Sequence, residues 1–470
     1  MTHALLIQKN YVDGQWIDPK DNATITVKSP VDHSIIGIVP DATETDTEHA
    51  ILTAHQAQDS WAKTTAYDRA KLLRKLFDLM VEHKEELSQI MTLENGKSIT
   101  ESRSEIDYAA SFIEWFAEEA KRNYGRTIPA PNDKRDIHVI HQPVGVVGII
   151  TPWNFPSAML TRKIGAAFAA GCTVIVKPDH RTPYSAIALA KLAEQAGFPK
   201  GVFNIITGDS EMIGKKLCEH ELVKKITFTG STRVGKILMA QSSSTLKRLS
   251  FELGGNAPFI VCEDADLDAA VDGLMIAKLR NMGQSCVAAN RVFIHEKIYE
   301  AFMAKILPRI QAHQATGPLI DQKAVEKMEH YVTDAIDKGA HLLFGAEPPE
   351  QGSNFYPVTV LTSVPQEAEI ESGEIFGPIF GISTFSDDNE ALTRANAVTV
   401  GLASYVFTTS AKRVHHYTTG LEFGMVGVNT GLISFAGAPF GGYKDSGFAR
   451  EGATEGLDAY LETKYIAIQH

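Results

Sequence analysis

The sequence predicts an α/β protein of at least two packed units, and three observations carry that expectation. Residues 66–122 have a helical pattern. From residue 144 short apolar runs of strand length alternate with helix-like stretches, and after about residue 262 a second alternation of the same kind begins. A chain of 470 residues is also too long for one simple core.

Each element has its own signal. Leu72, Leu73, Leu76, Phe77 and Met80 recur at three-to-four spacing, as do Ile106, Ala109, Ala110, Ile113 and Phe116. Strand-like runs follow at 144–150, 173–176, 202–206, 225–228 and 258–261, with helix-like stretches such as 185–196 and 232–241 between most of them. This alternation predicts a parallel sheet covered by helices. In the second pattern, helical 266–279 and 299–311 precede strands near 340–344, 379–384 and 404–407. The boundary is expected near Glu252, which would put that residue at a junction, where ligands usually bind. Two segments fit neither unit: 124–142, with alternating Ile137, Val139 and His141, and 460–469. Both read as strands pairing outside the main sheets, which predicts an oligomer edge.

Composition narrows the class. Hydrophobic residues make up 44% and charged residues 22%, ordinary for a globular chain. The 45 basic and 57 acidic residues give a net charge of -12, which opposes non-specific nucleic-acid binding. The first nine residues contain too short an apolar run for a signal peptide, and the longest apolar stretch, 164–176, falls short of a membrane span. Four cysteines with no C-x-x-C pair argue against a zinc site or disulfide framework. A reducing cytoplasm and no metal are therefore expected.

Two motifs suggest covalent chemistry. Cys286 ends Asn281-Met282-Gly283-Gln284-Ser285-Cys286, where small neighbours leave a thiol approachable. Glu252 stands in Phe251-Glu252-Leu253-Gly254-Gly255-Asn256, a carboxyl beside two glycines and suited to moving protons. The other cysteines, Cys172, Cys218 and Cys262, fall in or beside apolar runs and read as packing residues.

Other motifs leave two readings open. Thr151-Pro152-Trp153-Asn154-Phe155-Pro156 presents Trp153 and Asn154 at the end of a strand, and Asn154 could donate to an oxyanion; the same residues fit a plain proline turn. Lys177, in Lys177-Pro178-Asp179-His180-Arg181, could bond a ribose or phosphate, or be a solvated charge. Gly230 and Ser231, in Phe228-Thr229-Gly230-Ser231, run from strand to helix and could bind phosphate, although an ordinary N-cap is the simpler reading. Glu374, in Glu374-Ile375-Phe376-Gly377-Pro378, fits a turn or a ribose ligand equally. No G-x-G-x-x-G fingerprint occurs.

Together with Asn429-Thr430-Gly431 and Pro439-Phe440-Gly441-Gly442, these motifs resemble the aldehyde dehydrogenase superfamily, in that family's order and across nearly the whole chain. The resemblance implies a Rossmann-like cofactor domain (1–123 and 145–251), a second α/β catalytic domain (252–447) and a small β oligomerisation element (124–144 and 455–470). It implies Cys286 as nucleophile, Glu252 as base for hydrolysis, and Asn154 with the Cys286 backbone N–H as oxyanion donors. Cofactor contacts would come from Trp153, Asn154, Lys177, His180, Gly230, Ser231, Leu253 and Glu374, and the assembly would be a homo-oligomer, dimer or tetramer.

Within the superfamily the chain looks most like succinate-semialdehyde dehydrogenases, on the stretches 108–119, 160–163, 279–281 and 429–434. That likeness implies Arg162, Arg280 and Ser434 as holders of a distal carboxylate, work that suits guanidinium groups. Glutarate or 2-oxoglutarate semialdehyde is the neighbouring alternative, and a non-catalytic binding subunit is the alternative from another class. Three positions depart from the pattern. Ala288 stands where some relatives carry a second cysteine, so that redox switch should be absent. The stretch 306–317 is shorter than usual. His180 stands where NAD-preferring members often carry Glu; with Arg181 beside it, NADP is slightly favoured over NAD.

Overall fold

The computed structural model describes residues 4–18, 23–313, 317–347 and 349–470. Two large sheets dominate it. The first has eight strands in the order Gln15–Ile17, Asn10–Val12, Phe203–Ile205, Val174–Lys177, Val146–Ile150, Val223–Thr229, Arg248–Glu252 and Gly447–Phe448. The five from Phe203–Ile205 to Arg248–Glu252 run parallel. Chain order reverses between Val146–Ile150 and Val223–Thr229, and such a switch point opens a crevice beyond the strands' carboxyl ends.

The second sheet has seven strands, in the order His341–Phe344, Thr359–Thr362, Ile379–Phe385, Ala289–His295, Ala257–Val261, Ala403–Phe407 and Met425–Val428; only the first is antiparallel to its neighbour. Ala257–Val261, grouped by its apolar run with the earlier alternation, belongs here. The turn Gly254-Gly255-Asn256 carries the chain from one sheet to the next, and apolar character cannot tell which sheet a run joins.

Helices Ala66–Glu82, Ile99–Glu119, Ala158–Ala170 and Pro183–Ala196 pack on the first sheet's side of the molecule and share one core, with Leu73, Leu76, Met80, Phe112, Phe116 and Ile164 at or near zero exposure. Ala158–Ala170 is buried on every face, so no amphipathic stripe marks it. Its first two N–H groups, Ser157 and Ala158, donate to Glu105, itself paired with Lys97 inside the protein.

The two segments that fit neither sheet pair with each other. Leu461–Gln469 runs antiparallel to Arg135–Pro143 over nine registered pairs, and Arg126–Ile128 completes the three-stranded sheet. The stretch 455–470 is not strand throughout, because the helix Ala453–Asp458 takes up its start. Residues 314–316 of the shortened 306–317 stretch, and the first three residues of the N-terminal segment, lie outside the described residues.

Candidate active site

The motifs of Glu252 and Cys286 meet in the wall of one cavity. Glu252 closes the last parallel strand of the first sheet, and Cys286 stands three residues before Ala289–His295 in the second. Gly255 lies against Cys286, and a β-carbon on Gly255 would overlap the Cys286 carbonyl oxygen. The glycine pair is therefore a steric requirement of the junction.

The nucleophile's loop is held in an uncommon backbone. Asn281, Met282 and Gly283 have φ of 50°, 54° and 74°, three consecutive left-handed residues. The contacts that hold them come from several elements. Asn281 N donates to Glu101 at 2.7 Å and its amide to the Asn154 carbonyl at 3.0 Å. Gln284 donates to the carbonyls of Asn281 and Pro318 and accepts from Ile320 N. Asn154 Nδ2 donates to the Gln284 carbonyl at 3.1 Å, leaving its second amide hydrogen for an oxyanion.

Cys286 lines two cavities. One, of about 210 Å³, also takes in Trp153, Asn154, Gly230, Ser231, Leu253 and Glu374, six of the eight residues expected to bind a cofactor, together with Glu252. It lies at the switch point of the first sheet, at the start of helix Thr232–Ser242, whose N-cap is Ser231. The other is a narrow chamber containing Arg162, Arg280 and Ser434. A wider vestibule of about 380 Å³ opens beyond it and shares Arg280, Ser434, Tyr108 and Phe155 with the chamber.

Lys177 and His180 do not line the cofactor-side cavity. Lys177 is buried, with its ammonium on the Ser210 hydroxyl, and His180 is exposed on the following loop. Arg181 offers less free charge than the sequence suggested. It makes two bonds of 2.9 Å to Asp179 and one of 2.8 Å to Asp321, and so is compensated on both sides.

Burial disfavours the charged forms of both Cys286 and Glu252. Burial pushes the Cys286 thiol up to about 12, aided by the charges of Glu374 and Glu252 and opposed by Arg162. Glu252 is raised well above the carboxylate range by burial and by Glu451, and no donor among the described residues meets its Oε2. A buried carboxyl oxygen without a partner, in a cavity wall beside the thiol, is placed to engage water.

Several residues escaped the sequence reading. Lys327 lines the cofactor-side cavity and donates to the Glu374 carbonyl at 2.7 Å. Glu451 carries both Arg162 and Lys163, and Lys163 also reaches the Thr229 hydroxyl at 2.7 Å. Thr229 pairs with Glu252 in register, so this buried charged group lies behind Glu252. Lys163 and Tyr108 stood inside stretches already singled out; nothing local marked Glu451.

The aldehyde dehydrogenase family model matches residues 16–466. The glutarate-semialdehyde dehydrogenase of Pseudomonas aeruginosa is 49% identical over 99% of this chain and 98% of its own. The NADP-dependent succinate-semialdehyde dehydrogenase of Escherichia coli is 46% identical over the same shares. A solved structure of succinate-semialdehyde dehydrogenase from Burkholderia pseudomallei superposes with a TM-score of 0.98 at 45% identity, covering 100% of this chain and 99% of that one. The chain belongs to the aldehyde dehydrogenase family.

Proposed function

We propose that this aldehyde dehydrogenase oxidises a dicarboxylic semialdehyde to the diacid, with NADP or NAD as hydride acceptor. Succinate semialdehyde is the first candidate and glutarate semialdehyde the close second, since relatives acting on each are similar to the chain at 46% and 49% identity. The observation that carries the reading is that Cys286 lines both the cofactor-side cavity and the chamber of Arg162, Arg280 and Ser434. A carboxylate placed among those donors would present the far end of its chain to the sulfur.

The cofactor-side residues fit a dinucleotide. Gly230 and Ser231 offer a helix N-terminus to the pyrophosphate, and Glu374 faces the same cavity. The nucleotide supplies a two-electron hydride acceptor when bound. In the reaction the Cys286 thiol releases its proton to water as its sulfur bonds to the aldehyde carbon, and Asn154 with the Cys286 N–H receives the oxyanion. Loss of hydride from that carbon leaves a thioester on Cys286. Ionised Glu252 takes a proton from water as the resulting hydroxide adds to the thioester; the carbon–sulfur bond then breaks and Glu252 returns that proton to the departing sulfur, releasing the acid and restoring the thiol.

A cytoplasmic homo-oligomer belongs to the same reading. It is supported by the exposed Tyr465 and Ile468 on Leu461–Gln469, which pairs on only one side within the chain. The testing experiment compares kcat/KM for four- and five-carbon semialdehydes and butanal, with either cofactor. Preference for butanal would sink the carboxylate chamber. Cys286→Ala should lose turnover while still binding cofactor; full activity in that variant would refute the nucleophile.

A further inference from the structure

The two chamber arginines are not equivalent. Arg162 is 1% exposed, and its guanidinium is already engaged: it donates to Glu451 at 3.3 Å and to the Tyr108 oxygen at 2.8 Å, and lies against the rings of Phe440 and Phe112 at 4.4 and 5.0 Å. It shares the carboxylate of Glu451 with Lys163. Arg280 has no carboxylate partner among the described residues, lies 5.6 Å from the Phe155 ring and lines both the chamber and the vestibule. Arg280 therefore offers both cavities a guanidinium that no carboxylate of the described residues holds.

Tyr108 lines the same two cavities, and Ser434 lies beside its hydroxyl. A guanidinium can only donate, so the Tyr108 oxygen must be the acceptor in its bond with Arg162. Its own proton then turns away from Arg162. We infer that Tyr108 is a substrate-binding residue: its hydroxyl donates to the distal carboxylate held in the chamber, and the bond from Arg162 orients the phenol for that contact.

This inference rests on the carboxylated substrate class proposed above, and the test separates the two. For Tyr108→Phe, the ratio of kcat/KM on succinate semialdehyde to that on butanal should fall roughly tenfold, carried by KM, as for loss of one hydrogen bond to a charged group. Arg162→Lys, which cannot reach both Tyr108 and Glu451 with one ammonium, should lower the ratio too and also lower kcat. If wild type shows no preference for the carboxylated aldehyde, the substrate class itself fails. If wild type shows the preference and Tyr108→Phe keeps it, or loses both substrates equally, Tyr108 has no binding role.

Discussion

Gly255 and Cys286, 31 positions apart (255 to 286), meet backbone to backbone, with no room for a β-carbon between them. The turn that passes the chain from one sheet to the other is thus also the surface on which the nucleophile rests. Gly255→Ala must push the Cys286 carbonyl aside, and a displacement of about 1 Å at a reacting centre can cost on the order of a hundredfold in rate. The expected variant folds, with an unaltered far-ultraviolet circular dichroism spectrum, and loses about that factor in kcat. A kcat within twofold of wild type would show that the junction can relax.

The buried thiol of Cys286 gives a second prediction. Moving a thiol from its ordinary 9 to about 12 cuts the thiolate fraction at pH 8 by roughly a thousandfold. Iodoacetamide should therefore alkylate cofactor-free Cys286 at least tenfold more slowly than glutathione at pH 8, with the rate still climbing at pH 10. Mass spectrometry of the Cys286 peptide reads this directly. Cys172, Cys218 and Cys262, all buried with thiols raised by burial, should stay unlabelled in the folded enzyme. Labelling at Cys286 as fast as glutathione would contradict the electrostatic picture.

Lys278 predicts a pH dependence of stability. It is fully buried at the end of the helix that leads to the Cys286 loop, its one hydrogen-bond partner among the described residues is Asn290 at 2.8 Å, and burial lowers it to about 7. The folded value lies below the unfolded value of 10.5, so the unfolded chain binds the extra proton between them. Stability from this group is present above 10.5 and drains away as pH falls toward 7, by at most about 1.4 kcal/mol per pH unit. Lys278→Met lacks this slope, though it leaves the Asn290 oxygen without its donor. The difference in Tm, wild type minus variant, should grow in favour of wild type from pH 7 to pH 9.5. A constant difference would mean that Lys278 stays charged in the fold.

How much of this was legible in the sequence depended on how local each signal was. The long apolar runs marked most parallel strands to within about two residues, because a strand buried on both faces must be apolar throughout. No strand is legible at Arg248–Glu252, since Arg248 and Glu252 break its apolar run. Asn10–Val12 and Gln15–Ile17 are three residues each, too short to show a period. The same holds within the site. Cys286, Glu252 and Asn154 sit in dense motifs, whereas Glu451 acquires its place only by packing 288 positions away from Lys163. Arg181 taught the opposite lesson: a charge visible in sequence is not free when Asp179 and Asp321 already hold it.

That pairing bears on cofactor choice and yields the last prediction. His180 is exposed beside Asp179 and outside the cavity that Cys286 lines; under the proposed function it would face the adenosine end of the dinucleotide. His180→Glu would add a second carboxylate there and repel a 2′-phosphate, lowering the NADP to NAD ratio of kcat/KM by about tenfold or more. Asp321→Asn works in the opposite sense. Asparagine can still cap the helix Gln322–Asp337, which Asp321 now caps through Ala324 N at 2.9 Å, yet it removes one of the two charges neutralising Arg181. The partly released guanidinium should raise the same ratio severalfold, and more at low ionic strength, since screening weakens an exposed charge. Initial rates with each cofactor at two salt concentrations measure both variants. If neither variant moves the ratio, the loop 178–181 does not read the 2′ position, and cofactor preference must lie elsewhere in the first sheet's crevice.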